Sequence, residues 1–249
     1  MAGHSKWANI KHRKAASDAK KGKIYTKLAK EIESAARQGG SDLDYNFALR
    51  LAVDKAKAAN MPNDNIERAV KRGTGELQGA ALEELYYEGY GPNGTALMLK
   101  CLTDNRNRTV GDIRSTLKKA GGSLAESGAV AWQFDNKGLI TVPHKGGDPD
   151  ELMMMAIEAG AEDLAIEDEL VEFTTARESL QSVTEALNGL GLKAESADLV
   201  MVPQHYVTLS VEDQVKVMKM IGQLEELEDV QEIFSNVDFS DEAVALVEA

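Results

Sequence analysis

Along the first 75 residues, apolar positions recur at helical spacing. In KIYTKLAKEIESAARQGG, Ile24, Leu28, Ile32 and Ala35/Ala36 share one stripe, with Lys23, Lys27 and Lys30 off it, and Gly39-Gly40 ends the pattern. A second helix is predicted in DYNFALRLAVDKAKAAN, where Phe47, Leu51 and several alanines supply the apolar face. A third follows Pro62: Asp64 and Glu67 have capping-box spacing, Ile66, Ala69 and Val70 face inward, and Gly73 closes it. Three helices with short connections predict a small bundle. The preceding KWANIKHRKAASDAKK tolerates helix but has no stripe to bury, so residues 4–22 are expected to form an extended or fluctuating arm.

From about residue 80 the pattern changes to strands alternating with helices. EELYYEGYG and TALMLKCLT read as strands, RTVGDIRSTLKKAG as a helix and AVAWQF as a further strand. GLITV, PDELMMMAIEAG, DLAIEDE, LVEFTT, RESLQSVTEALNGLG and SADLVMV then follow in the order β-α-β-β-α-β, the split βαβ arrangement of ferredoxin-like folds. HYVTLS, EDQVKVMKMIGQLEEL and VQEIFSNV add β-α-β, completing the interrupted second unit. The fold class expected is therefore α+β: an N-terminal three-helix bundle plus two ferredoxin-like α/β domains, the third inserted in the second. The expected bounds are 1–79, 80–136 with 203–240, and 137–202.

Charge changes this picture. The 249-residue chain has net charge -13, yet residues 1–75 hold 16 Lys/Arg against 8 Asp/Glu, while residues 76–249 hold 12 against 33. From Lys6 to Lys30 there are nine basic residues and one acid, Asp18. Salt screens fields beyond about 8 Å, so a polyanion would respond to this local surface rather than to the global sum. Lys6, Lys11, Arg13, Lys14, Lys20, Lys21, Lys23, Lys27 and Lys30 are too many like charges for helix pairing to explain, and they point to phosphates. His12 could donate to phosphates beside them. Trp7 and Tyr25 could stack on bases or anchor the arm to the bundle. In DNRNRT, Asn107 or Thr109 could cap a helix while Arg106 and Arg108 point outward as a phosphate cradle, continued by Arg114, Lys118 and Lys119; capping plus ordinary surface charge accounts for this segment equally well.

Other features have structural readings. Gly89, Gly91 and Gly94 match a dinucleotide fingerprint, but a strand follows them, so a hairpin turn is expected. Cys101 reads as a buried thiol, the histidines lack zinc-ligand spacing, and Met153–Met155 read as core filling. Glu158, Glu162, Asp163, Glu167, Asp168, Glu169 and Glu172 read as a solvated acidic face. No apolar run approaches the roughly 20 residues of a membrane span and no secretory signal is visible, which places the chain in the cytoplasm.

AGHSKWANIKHRKAASDAKKGKIYTKLAKEIESAAR, MPNDNIERAVKRGTG, YEGYGPNGTALMLKCLTDNRNRT and GAVAWQFDNKG resemble segments of the YebC family, and the resemblance covers nearly the whole chain. It implies a three-helix N-terminal domain, two α/β domains and a DNA-binding transcriptional regulator. Related proteins, including a mitochondrial translational activator of a cytochrome oxidase subunit, act with ribosomes, and relief of proline-rich stalling has been ascribed to the family. The expectation is a non-enzymatic nucleic-acid-binding regulator whose partner is DNA or, alternatively, ribosomal RNA and the ribosome. No cofactor, metal, membrane or small-molecule substrate is expected.

Overall fold

A computed structural model describes residues 18–144, 148–166 and 170–248. Positions Lys6, Trp7, Lys11, His12, Arg13 and Lys14 of the predicted arm lie outside the described residues, as do Glu167, Asp168 and Glu169 of the acidic run.

Helix α1 (Asp18–Gly39) includes six residues before Ile24, the first of the apolar stripe, and so takes in part of the segment expected to be an arm. Its stripe of Leu28, Ile32, Ala35 and Ala36 is buried against α2 (Phe47–Ala58) and α3 (Asn63–Gly73), where Leu49, Val53, Ile66 and Ala69 complete the core. Gly40, at φ +81, turns the chain out of α1. Asn46 then joins two helix ends: its Oδ1 accepts from Leu49 N (3.0 Å) as the α2 cap, and its Nδ2 donates to Ala35 O and Gly40 O (2.8 Å each). The capping box expected at Asp64 and Glu67 does not form. Pro62 occupies the N-cap of α3 without a side-chain bond, leaving Asp64 in the first turn, where its negative charge complements the exposed N–H dipoles. Gly73 permits close approach of α3 to α1, since a Cβ there would lie 2.5 Å from Glu33 O.

Strands β1 (Glu83–Tyr90) and β2 (Ala96–Thr103) pair in an antiparallel hairpin from Glu83–Thr103 to Tyr90–Ala96. The glycine-rich segment is its turn, with Asn93 and Gly94 both at positive φ. Helix α4 (Arg106–Lys119) and the short β3 (Ser123–Leu124) follow. The same sheet is completed far along the chain by β8 (Val230–Ser235), reached through α7 (Val211–Glu225) and followed by α8 (Asp241–Glu248); its order is β3-β1-β2-β8, all antiparallel. Leu97, Leu99, Cys101, Ile113, Leu117, Met218, Ile221 and Ile233 form its core.

Two predicted strands of this unit do not form. Residues 131–133 of AVAWQF make a single 3-10 turn, because the preceding segment is curled around a buried carboxylate. Glu88 on β1 accepts the backbone N–H groups of Gly128 (2.6 Å), Val130 (2.7 Å) and Ala131 (2.9 Å). In HYVTLS only Val207 pairs, in a parallel bridge to Val237, before Ser210 caps α7 through Asp213 N.

Residues 134–204 form a separate compact unit. Its elements are β4 (Phe134–Pro143), α5 (Pro149–Ala159), β5 (Asp163–Ile166), β6 (Leu170–Ala176), α6 (Leu180–Gly189) and β7 (Ser196–Pro203). The antiparallel order β5-β6-β4-β7 is that of a ferredoxin-like sheet, with Ile140, Phe173, Leu152, Val183 and Leu187 in its core. Glu172 departs from the expected solvated face: it is buried on the central strand β6.

Candidate nucleic-acid interface

Spacing of three and four residues aligns Lys23, Lys27 and Lys30 along α1. They meet the turn after α7, which reads Glu225-Glu226-Leu227-Glu228-Asp229. Lys23 pairs with Glu226; Lys27 Nζ donates to Glu225 O (2.7 Å); Lys30 Nζ donates to Asp229 Oδ1 (2.8 Å) and lies 3.4 Å from Glu228 Oε1. These lysines, predicted to meet phosphates, are thus held by an acidic turn about 200 positions away in the chain. Tyr25 anchors rather than stacks, its hydroxyl donating to Asn60 O (2.8 Å).

Asp229 is the centre of this contact. Besides Lys30, its carboxylate accepts from Arg108 (2.9 Å), Thr109 Oγ1 (2.8 Å) and Thr103 Oγ1 (3.2 Å), and its carbonyl accepts from Leu102 N. One side chain therefore ties together α1, β2 and α4. Burial alone would push its pKa up; the bonds from Lys30, Arg108 and Thr109 outweigh that and hold it below the ordinary range.

Arg106 and Arg108, expected in DNRNRT to point outward, are exposed, but each is already paired. Arg106 pairs with Glu83, and Arg108 with Asp229 and Asp104, because carboxylates already sit where phosphates were expected. The cap of α4 is Asn105, whose Oδ1 accepts from Arg108 N (3.1 Å), and not Asn107 or Thr109. Thr109 is buried and turned to Asp229.

The exposed basic groups that lack an ion pair among the described residues include the predicted continuation of that segment. Arg114, Lys118 and Lys119 are exposed on α4 and make no ion pair among the described residues, and the same holds for Arg68 and Lys71 on α3. The α3 pair was missed in the sequence, although i,i+3 basic spacing on a helix was there to be read. Lys21 is exposed near the start of α1.

Other chemistry is sparse. Burial pushes the Cys101 thiol up to about 12, which leaves it protonated and unreactive. Among the described residues no group of His, Cys, Asp and Glu could hold a metal ion, and no helix is long and apolar enough to cross a membrane.

A basic helical module together with two four-stranded antiparallel sheets defines the class of this fold. Residues 5–76 match the model of the TACO1/YebC protein N-terminal domain, and residues 82–237 that of the TACO1/YebC second and third domain. This chain belongs to the TACO1/YebC family. A probable transcriptional regulatory protein of Thermoanaerobacter pseudethanolicus is 52% identical over 243 residues, covering 97% of this chain and 99% of the relative. One from Syntrophotalea carbinolica is 53% identical over 247 residues, covering 99% of each. The crystal structure of a conserved hypothetical protein from Aquifex aeolicus superimposes with TM-score 0.83 at 44% identity, covering 90% of this chain and 93% of that one.

Proposed function

We propose that this protein is a regulator that binds duplex DNA through its basic N-terminal region. The observation that carries the reading is the density of positive charge from Lys6 to Lys21, six basic residues against one acid, on a chain that is otherwise acidic. Like charges at this density repel, and phosphates relieve that repulsion. The names of the relatives, probable transcriptional regulatory proteins, support a regulatory role.

In this reading the basic residues divide by task. Lys23, Lys27 and Lys30 hold the helical module on the α/β unit, while Arg106 and Arg108 are paired within that unit, with Glu83 and with Asp104 and Asp229. Lys6, Lys11, His12, Arg13, Lys14, Lys20 and Lys21 meet phosphates, Trp7 stacks or anchors beside them, and Arg114 with Lys118 and Lys119 forms a second contact. In-cell crosslinking followed by sequencing of the recovered nucleic acid tests this, comparing the native chain with a variant carrying Lys11→Glu, Lys14→Glu, Lys20→Glu and Lys21→Glu. Promoter DNA recovered by the native chain and lost by the variant is the expected result. Recovery of mainly ribosomal RNA would assign the protein to the ribosome instead, and equal recovery by the variant would remove the arm from the interface.

A further inference from the structure

Three large apolar side chains lie open on α5. Met153 is 45% exposed, Met154 72% and Ile157 69%, while Leu152 and Ala156 on the opposite side of the helix are buried. Met153–Met155 were expected to fill the core; at 100° per residue, Leu152 and Ala156 take the inward positions, and Met153 and Met154 are left outside. A single exposed apolar residue is ordinary, but Met153, Met154 and Ile157 lie on consecutive turns and make one row. Methionine is the side chain best suited to fit surfaces of varied shape.

The row has an acidic border. Asp150, Glu151 and Glu158 on the same helix are all exposed. Residues 134–204 as a whole carry 15 Asp and Glu against 4 Lys and Arg, so nucleic acid is repelled from this unit. We infer that the exposed face of α5 is a docking surface for a basic amphipathic helix of a partner protein. Apolar side chains repeated at helical spacing on that partner would cover Met153, Met154 and Ile157, while flanking lysines or arginines would meet the acidic border. A two-fold contact with a second α5 is disfavoured, because it would set Asp150, Glu151 and Glu158 against their own copies.

The test uses the full chain and a synthetic Leu/Lys peptide about 18 residues long, five helical turns, patterned as an amphipathic helix. Binding is read by fluorescence anisotropy, beside a scrambled peptide of the same composition. The exposed positions allow Met154→Gln with Ile157→Gln, which keep helix propensity. This double variant should raise the dissociation constant at least about tenfold, and scrambling should do the same. Asp150→Asn with Glu158→Gln should weaken binding and flatten its salt dependence. Unchanged affinity in either variant, or equal affinity for the scrambled peptide, overturns the proposal. So does concentration-dependent self-association of the chain alone that Met154→Gln abolishes, since the face would then belong to a second copy.

Discussion

At the scale of single residues, two buried carboxylates organise this protein. Asp229 receives four side chains from three elements, α1, β2 and α4, so its removal leaves Lys30 and Arg108 without their counterion. Asp229→Asn should cost about 3 kcal/mol of stability at neutral pH, measured by urea denaturation. Its folded pKa is depressed, so this stabilisation is full above the ordinary aspartate range. It declines as the pH falls below that range and is gone once the pH is below the folded pKa. The gap between variant and native chain should therefore close in acid. For Glu88, burial raises the pKa but the N–H groups of Gly128, Val130 and Ala131 outweigh it and lower it. Glu88→Gln puts amide hydrogens against one or more of those N–H groups, and hydrogen exchange at residues 128, 130 and 131 should accelerate. Neither carboxylate stood out in the sequence, because Asp and Glu carry the same symbol whether solvated or enclosed.

Among the elements, helices were more legible than short strands. The stripe of Leu28, Ile32 and Ala35/Ala36 lies buried as its spacing predicts, since 3.6-residue periodicity is a property of the segment alone. The strands misread in AVAWQF and HYVTLS share a different cause. Each has strand-like composition, but its backbone bonds go to groups distant in the chain: Glu88 for the first, Asn236 for the second. Gly73 shows the same limit for helices. Alanine is the better helix former, yet a Cβ at this position would stand 2.5 Å from Glu33 O and 2.7 Å from Ala36 Cβ. Gly73→Ala should cost about 2 kcal/mol through this crowding, with the loss visible in denaturant melts.

For the whole molecule the governing feature is segregated charge. Basic residues concentrate before position 75 and acids after it, and part of each set is spent on the other: Lys23, Lys27 and Lys30 against residues 225–229. If about six arm residues meet phosphates, log affinity for duplex DNA should fall with log salt at a slope near -5. Each arm lysine changed to glutamine should flatten that slope by about 1, whereas Lys23→Gln should leave it unchanged. Filter binding across a salt series reads both. The sequence by itself determined the amphipathic helices, the hairpin turn at Gly91–Gly94, the β-α-β-β-α-β order of residues 134–204 and the two-signed charge distribution, because these depend on neighbours within a few positions. Only the tertiary structure decided which charges face solvent. Lys30 and Asp229 are 199 positions apart, and a lysine's counterion is chosen by the fold that brings the two together in a site too buried for water to compete.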